Sequence, residues 1–488
     1  MSPAMLIVAL IVTPLLGALA VGLLGRWPNL RETATLVTAA TLFGLATQLI
    51  GPVVNRYDVA LEVIEILPGL AITFRLEPLG LIFALLASLL WFVTSVYAIG
   101  YMRGAKEPRH TSFYVFFAIA ISGAMGVATA GNLLTLFIFY EVLTISTWPL
   151  VTHKQNDAAR AGGRTYLGIL LFTSIGLLLP AIIWTWMAAG TTDFTPGGIL
   201  FGTLGPTEAA ILLTLFVLGI GKAAVMPMHR WLPAAMVAPT PVSALLHAVA
   251  VVKAGVFTIT KVVIYIFGLD FLANVPLEQW LVYLAGFTVV AASIIALKQV
   301  ELKRMLAYST ISQLSYIVLA ALVLAPFAEI GAAVHIVAHA FGKITLFFCA
   351  GAIYVASKKT RLDEIRGIGR RMPWTMVAFT IGAVSMIGVP PTAGFVSKWY
   401  IIAGAFQVDN YFTLVVLMLS TGLNAAYFLP IVFRAFFRDE DVPPKVEHGE
   451  APWPMVAALT FTAALVILFF AFNGPIVDIE SRILEVGQ

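Results

Sequence analysis

Apolar segments long enough to cross a bilayer recur fourteen times along this chain, and that repetition leaves it few possible folds. They fall at about 3–24, 33–52, 78–101, 112–130, 132–152, 165–188, 209–228, 241–267, 279–298, 303–325, 328–357, 374–405, 411–436 and 453–474. Roughly 20 apolar residues cross the hydrocarbon core as a helix. Inside that core the backbone must satisfy its own polar groups, which restricts a spanning chain to helices or a closed barrel. Only 11% of the 488 residues are charged, against about 25% in soluble domains. The chain therefore reads as an all-α polytopic membrane protein with about fourteen transmembrane helices.

Loop charges test that segmentation. With the N-terminus outside, the seven inside loops hold 21 of the 29 lysines and arginines, and the outside regions hold only Arg56, Arg75 and Arg482. The remaining five, Lys222, Lys253, Lys261, Lys343 and Lys398, lie within segments. A bias of this kind marks the inner side of a membrane. The expectation is a multi-pass protein of the cell (inner) membrane with both termini on the outer, periplasmic face. The first apolar run lacks a preceding basic residue and reads as a retained helix rather than a cleaved leader.

The organisation expected is three N-terminal helices (1–110), a five-helix group (111–268), a second five-helix group (269–438), and a loop with a last helix (439–488). Five is odd, so the second group would be inverted relative to the first. The fourth member of each group carries a lysine beside helix breakers: Lys222 before Pro227, and Lys398 after Pro390-Pro391. Pro239 and Pro241 extend the first break. Matching breaks in inverted repeats point to a site near the bilayer midplane, and helices 7 and 12 are expected to be broken there.

Ionisable residues at membrane depth are costly and mark function more often than not. Glu141 is the one carboxylate placed deep, with Lys222 at comparable depth on segment 7 as its natural partner. The pair reads either as a static packing device or as a switch that loosens when Lys222 gives up its proton. Lys253 and Lys343 lie near the centres of segments 8 and 11. Lys261, nearer a segment end, reads as snorkelling to the interface. Segment 11 carries His335, His339 and Lys343 at i, i+4, i+8, on nearby faces of one helix. Histidine titrates near neutrality and can pass a proton, while two histidines at this spacing can also share a metal; no third ligand is evident. His229 and His247 flank the first break as gating candidates. Tyr308, Ser309, Ser312 and Gln313 give segment 10 a polar content that suits bound water or helix–helix adhesion. In order, Glu141, Lys222, Lys253, the segment 11 group and Lys398 form a row for lateral proton movement.

Other chemistries lack their motifs. No phosphate-binding loop, dinucleotide-binding glycine motif or CxxC is present, and the single cysteine, Cys349, cannot hold an iron–sulfur cluster. No cofactor, metal or nucleic-acid partner is expected, and the net charge of +4 is spread over short loops.

The run His229-Arg230-Trp231-Leu232-Pro233, followed by Ala238-Pro239-Thr240-Pro241-Val242-Ser243-Ala244-Leu245-Leu246-His247, resembles the signature of the antiporter-like subunits of respiratory complex I, membrane-bound hydrogenases and Mrp-type Na⁺/H⁺ antiporters. Lys303 to Ser312 and His335 to Lys343 are similar to the same family, and the resemblance covers essentially the whole chain. It implies fourteen helices with inverted five-helix repeats, a Glu141–Lys222 pair, a central Lys253, histidines on segment 11 and a terminal ionisable residue at Lys398. That terminal lysine and the Val249 to Phe257 run are most similar to the D-type members of the Mrp antiporters. The function implied is proton translocation within a multisubunit monovalent cation/proton antiporter, or alternatively within a complex I-type NADH:quinone oxidoreductase or a membrane-bound hydrogenase. Partners implied are other membrane subunits, the lipid bilayer, protons and Na⁺.

Overall fold

The computed structural model describes residues 2–55, 59–275, 279–440 and 449–486. Among these residues, eleven helices are long and apolar enough to cross a membrane. They are α1 (Pro3–Leu23), α2 (Pro28–Val54), α3 (Pro78–Gly104), α4 (His110–Ala128), α5 (Leu133–Val151), α6 (Asp157–Ala189), α9 (Gln279–Leu297), α10 (Leu302–Leu322), α11 (Pro326–Ser357), α14 (Tyr411–Phe437) and α15 (Trp453–Ala471). The other expected spans are shorter because they are interrupted: α7 (Pro206–Gly219), α8 (Val251–Val262), α12 (Pro373–Ile387) and α13 (Ala393–Gln407). A last helix, α16 (Gly474–Val486), follows α15.

Local sequence explains the helix ends. Proline stands at the first position of α1, α2, α3, α7, α11 and α12, where its missing N–H costs nothing. The side chains of Asn132, Asn156 and Asn410 accept the N–H groups of Thr135, Ala159 and Thr413 and cap α5, α6 and α14.

The strictly helical expectation needs one correction. Ala60–Leu67 (β1) and Leu70–Arg75 (β2) pair antiparallel as a hairpin. The run Val63-Ile64-Glu65-Ile66 is rich in β-branched residues, and Gly69, at φ 73°, makes the turn. The base of the hairpin is tied to α5 and its cap: Thr73 N–H donates to Thr135 Oγ1 at 3.0 Å, and Gly131 N–H to the Thr73 carbonyl at 2.9 Å.

The bundle is layered by exposure. The most apolar stretch of α11 is buried in every residue, and α10 nearly so, whereas α1 and α2 bury a minority. A helix apolar on all sides belongs in the interior, and α10 and α11 form that interior. They pack against each other, and α11 also packs against α12, α13 and α15.

The basic loops converge on one face. Arg103 donates to Glu32 at 2.5 Å; Arg109 bonds the His153 carbonyl; Lys303 donates to the Met236 and Ala238 carbonyls at 3.0 and 2.6 Å; Lys359 pairs with Glu440. The hairpin and the loop after α6 lie on the opposite face, where Thr195 and Ile199 N–H groups bond the carbonyls of Tyr265 and Ile266. Thus the loops that the charge pattern grouped together are neighbours in space. The helix α16 packs against α3 and α11 and buries Glu480.

Candidate functional site

The first break begins where α7 stops at Gly219. A Cβ there would lie 2.5 Å from the Leu178 nitrogen, so only glycine lets α7 end this close to α6. Residues Gly221–Ala223 make one tight turn, and Ala224, at φ 57°, ends it. Across it runs α8, whose Gly255 has no room for a Cβ, 2.3 Å from the Ala223 nitrogen. The Trp231 indole donates to the Gly221 carbonyl at 2.9 Å and pins the turn from below. Pro227 follows the turn, while Pro239 and Pro241 precede and open the short helix Thr240–Ala244.

Lys222 is thereby held fully buried. Its Nζ donates to the Tyr140 carbonyl at 2.8 Å and to Thr144 Oγ1 at 2.5 Å, and lies 3.1 Å from the centroid of the Tyr140 ring. Glu141 makes no ion pair with it. Among the described residues its two carboxylate oxygens are buried without a hydrogen-bond partner. Helical geometry gives the reason. Tyr140 and Thr144, four apart, share the face of α5 that meets Lys222. Glu141 is turned about 100° away, toward the exposed stripe of Ile138, Ile145 and Trp148.

A second cluster of polar side chains lies between the two breaks. Lys253 Nζ meets His339 Nδ1 at 2.7 Å. The rings of His339 and His335 lie 6.0 Å apart and nearly parallel. His335 Nδ1 shares a hydrogen bond of 2.8 Å with Ser397 Oγ, and Tyr316 stacks on its ring at 5.5 Å. Ser397 precedes Lys398 on α13. All five polar side chains in this row are buried.

Lys398, in the second turn of α13, reaches back across the second break, the segment between α12 and α13 where Pro390 and Pro391 stand. Because α12 stops at Gly388, its last carbonyls lack helical partners. The Lys398 ammonium takes two of them, Met386 at 3.1 Å and Ile387 at 2.8 Å, and also reaches Thr421 Oγ1 at 3.3 Å. A cation at a helix C-terminus is favoured.

Lys343 leaves the face of the histidines. Its Nζ turns to α10 and donates to Ser309 Oγ at 2.7 Å. Ser312 shares a hydrogen bond of 2.9 Å with Ser293 of α9. Gln313 is fully buried, and neither amide atom has a hydrogen-bond partner among the described residues. The half-buried His229 ring lies 6.4 Å from that of Tyr308, and Tyr308 lines a cavity of about 740 Å³ with Arg230, Glu301 and Arg304. The side chain of His247 lies outside the described residues.

Lys261 departs from expectation. It is fully buried and pairs with Glu77 at 2.9 Å, donates to the Ala130 carbonyl at 2.6 Å and sits 4.1 Å from the Phe194 ring. With α3, α4 and the loop after α6 around it, there is no solvent edge to reach. Losing either partner would strand a buried charge, at a cost of about 3–5 kcal/mol.

Sequence reading missed Tyr140, Thr144 and Ser397, and on α14 Ser420, Thr421, Asn424 and Tyr427. The α14 set had a signal: polar residues at i, i+1, i+4 and i+7 in an otherwise apolar helix. Among the described residues, no three histidine, cysteine or acidic side chains are grouped to hold a metal.

Residues 130–424 match the sequence model of a family described as "NADH:quinone oxidoreductase/Mrp antiporter, TM". The NADH-quinone oxidoreductase subunit N of Desulforudis audaxviator (strain MP104C) is 30% identical over 430 residues, covering 84% of each chain. The F(420)H(2) dehydrogenase subunit N of Methanosarcina mazei is 30% identical over 428 residues, again 84% of each chain. A probable K(+)/H(+) antiporter component of Rhizobium meliloti (strain 1021) is 32% identical over 413 residues, which cover 80% of this chain and 39% of that one. A chain of the Mrp complex from Dietzia sp. DQ12-45-1b has the same fold, with a TM-score of 0.85 at 19% identity over 99% of this chain and 97% of that one.

Proposed function

The chain belongs to the NADH:quinone oxidoreductase/Mrp antiporter family of multi-pass, proton-translocating membrane subunits, and from that premise we propose how its residues move protons and in what assembly. Lys222 is the loading group of the first half. In the state described its ammonium rests on Tyr140 and Thr144, with the unpaired Glu141 carboxylate as the alternative partner one position along α5. Motion of Lys222 between the two sets of acceptors is the switch. Lys253 and His339 receive the proton, His335 and Ser397 pass it on, and Lys398 exchanges it with the far side. The observation that carries this reading is the 2.7 Å contact between Lys253 and His339, within a buried row that ends beside Lys398.

The assembly is a multisubunit monovalent cation/proton antiporter. In this reading the basic face is inside and both termini are outside, following the loop charges. The two five-helix groups are inverted repeats, each with a lysine at its break. A second reading, a proton-pumping module of a redox complex, is favoured by the 84% mutual coverage with subunit N; the proton row serves either. No protein-bound cofactor is required in this chain for either reading.

The test is proton transport in vesicles carrying the chain with its native partner subunits. Glu141→Ala and Lys222→Ala should each lower transport by at least about 100-fold with the complex still assembled. Retention of transport in both would sink the switch. Mass spectrometry of the co-purified subunits separates the two assemblies: small cofactor-free membrane proteins mean an antiporter, and iron–sulfur or quinone subunits mean a redox pump.

A further inference from the structure

Lys343 is left out of the histidine row, yet it is fully buried and its amine has a direct polar neighbour. The polar face of α14 runs from that neighbour to Lys398. Lys343 Nζ donates to Ser309 Oγ at 2.7 Å. Ser309 Oγ and the Tyr427 hydroxyl are 2.9 Å apart, and the Tyr427 hydroxyl also contacts Asn424 Oδ1. One helical turn further along α14, Thr421 Oγ1 accepts from Lys398 Nζ at 3.3 Å. Between the two ends lies Tyr316 of α10, whose ring centroid is 5.0 Å from Lys398 Nζ. Tyr316 Oη and Asn424 Nδ2 are buried with no hydrogen-bond partner among the described residues. Buried polar atoms of this kind are satisfied by ordered water, and here they line the one step that direct hydrogen bonds do not cover.

We infer that this α14 face is a second proton connection, joining Lys343 to Lys398 in parallel with the histidine row from Lys253; the inference rests on the proton-path reading above. With the Tyr427 hydroxyl turned to Asn424 Oδ1 and away from Ser309, the donor order is self-consistent. The Lys343 ammonium gives a proton to Ser309 Oγ as Ser309 gives its own to the Tyr427 oxygen. The Tyr427 hydroxyl proton then leaves on the Asn424 side, passes by way of water and Tyr316 to Thr421, and the Thr421 hydroxyl protonates the Lys398 amine. Each oxygen gains one proton and releases one, so the net change is a neutral Lys343 and a charged Lys398. Tyr427 has one hydroxyl proton and two acceptors, Ser309 Oγ and Asn424 Oδ1, so rotation of that hydroxyl resets the path. No group of α14 need be ionised at rest.

The experiment uses vesicles of the assembled complex and a pH-sensitive dye. Tyr427→Phe keeps the ring and its packing and removes the relay oxygen, and Ser309→Ala breaks the preceding link. Each should lower transport about tenfold and alter its pH profile, with the complex still assembled. Because the two links act in series, the double variant should lose no more than either alone. Tyr427→Phe combined with His335→Phe, which cuts the parallel row, should abolish transport. Full transport in both Tyr427→Phe and Ser309→Ala, or losses that multiply in their double variant, overturns the inference. Lys222→Ala tests the underlying reading separately: that residue lies upstream of both branches, so if transport survives the change, the proton path itself is wrong, whatever α14 does.

Discussion

The two broken helices look alike in sequence, each a lysine beside glycines and prolines, but they hold their lysines by opposite means. Lys222 rests on a side-chain hydroxyl, an aromatic ring and a carbonyl already inside the α5 helix. Lys398 rests on the bare last carbonyls of α12. The first set of contacts can be exchanged without undoing a helix; the second is part of how a helix ends. A mobile amine suits a switch, and an anchored one suits a terminus. The lesson is that a lysine's role at a helix break follows from whether its acceptors belong to side chains or to the break itself.

That contrast makes its largest prediction in stability. Lys398→Met leaves two buried carbonyls without a partner, at about 1–3 kcal/mol each, so the melting temperature of the complex should fall clearly. Lys398→Gln, which keeps two N–H donors, should restore most of that loss without restoring transport. Lys222→Met should cost far less stability, since the Tyr140 carbonyl keeps its helical bond. Equal melting temperatures for the two methionine variants would erase the distinction.

A smaller effect sharpens it. Thr144→Val removes one hydrogen bond to the Lys222 ammonium while keeping the shape. Transport should change about fivefold to tenfold, because a bond to a charged group is worth about 1.5–3 kcal/mol and only part of it separates the two positions of the amine. A rate identical to that of the unaltered protein would mean that the resting position of Lys222 does not matter.

The smallest effect belongs to the outer rim of the bundle. Burial pushes the Glu480 carboxyl up to about 8. The folded chain therefore holds that proton more tightly than an undocked α16 would. Its contribution to docking is complete below the ordinary glutamate range and is lost as pH rises toward about 8. Proteolysis of residues 474–486 should be faster at pH 9 than at pH 6, and Glu480→Gln should flatten the difference.

Much of this was legible in the sequence because hydrocarbon imposes a length rule that every spanning segment obeys. The breaks were legible for the same reason: Pro227, Pro239, Pro390 and Pro391 cannot continue a helix at membrane depth. Partners were less so. Glu141 and Lys222 share a depth, but depth does not say which side of α5 faces Lys222. Lys261 lies near a segment end, yet burial there depends on Phe194 and Glu77, which are distant in sequence. Asn424 and Tyr427 carried a readable spacing and were hidden among the apolar residues of segment 13. The hairpin escaped because a helix count weighs apolar length and gives no weight to β-branched alternation in a loop.

The interior helix α11 has a consequence of its own. Its 32 residues, at about 1.5 Å each, make a rod of about 48 Å, well beyond the roughly 30 Å of a hydrocarbon core. A lipid-facing helix of that length would tilt to hide the excess. Sheathed by its neighbours, α11 can tilt only together with them, since its most apolar stretch is buried in every residue. The same stiff member carries Glu329 near one end and Ser357 at the other, both buried, with His335, His339 and Lys343 fixed along its length. A displacement imposed at either end by a neighbouring protein reaches the middle as a rigid shift, and the spacing of the three ionisable groups is preserved while their distance to everything else changes.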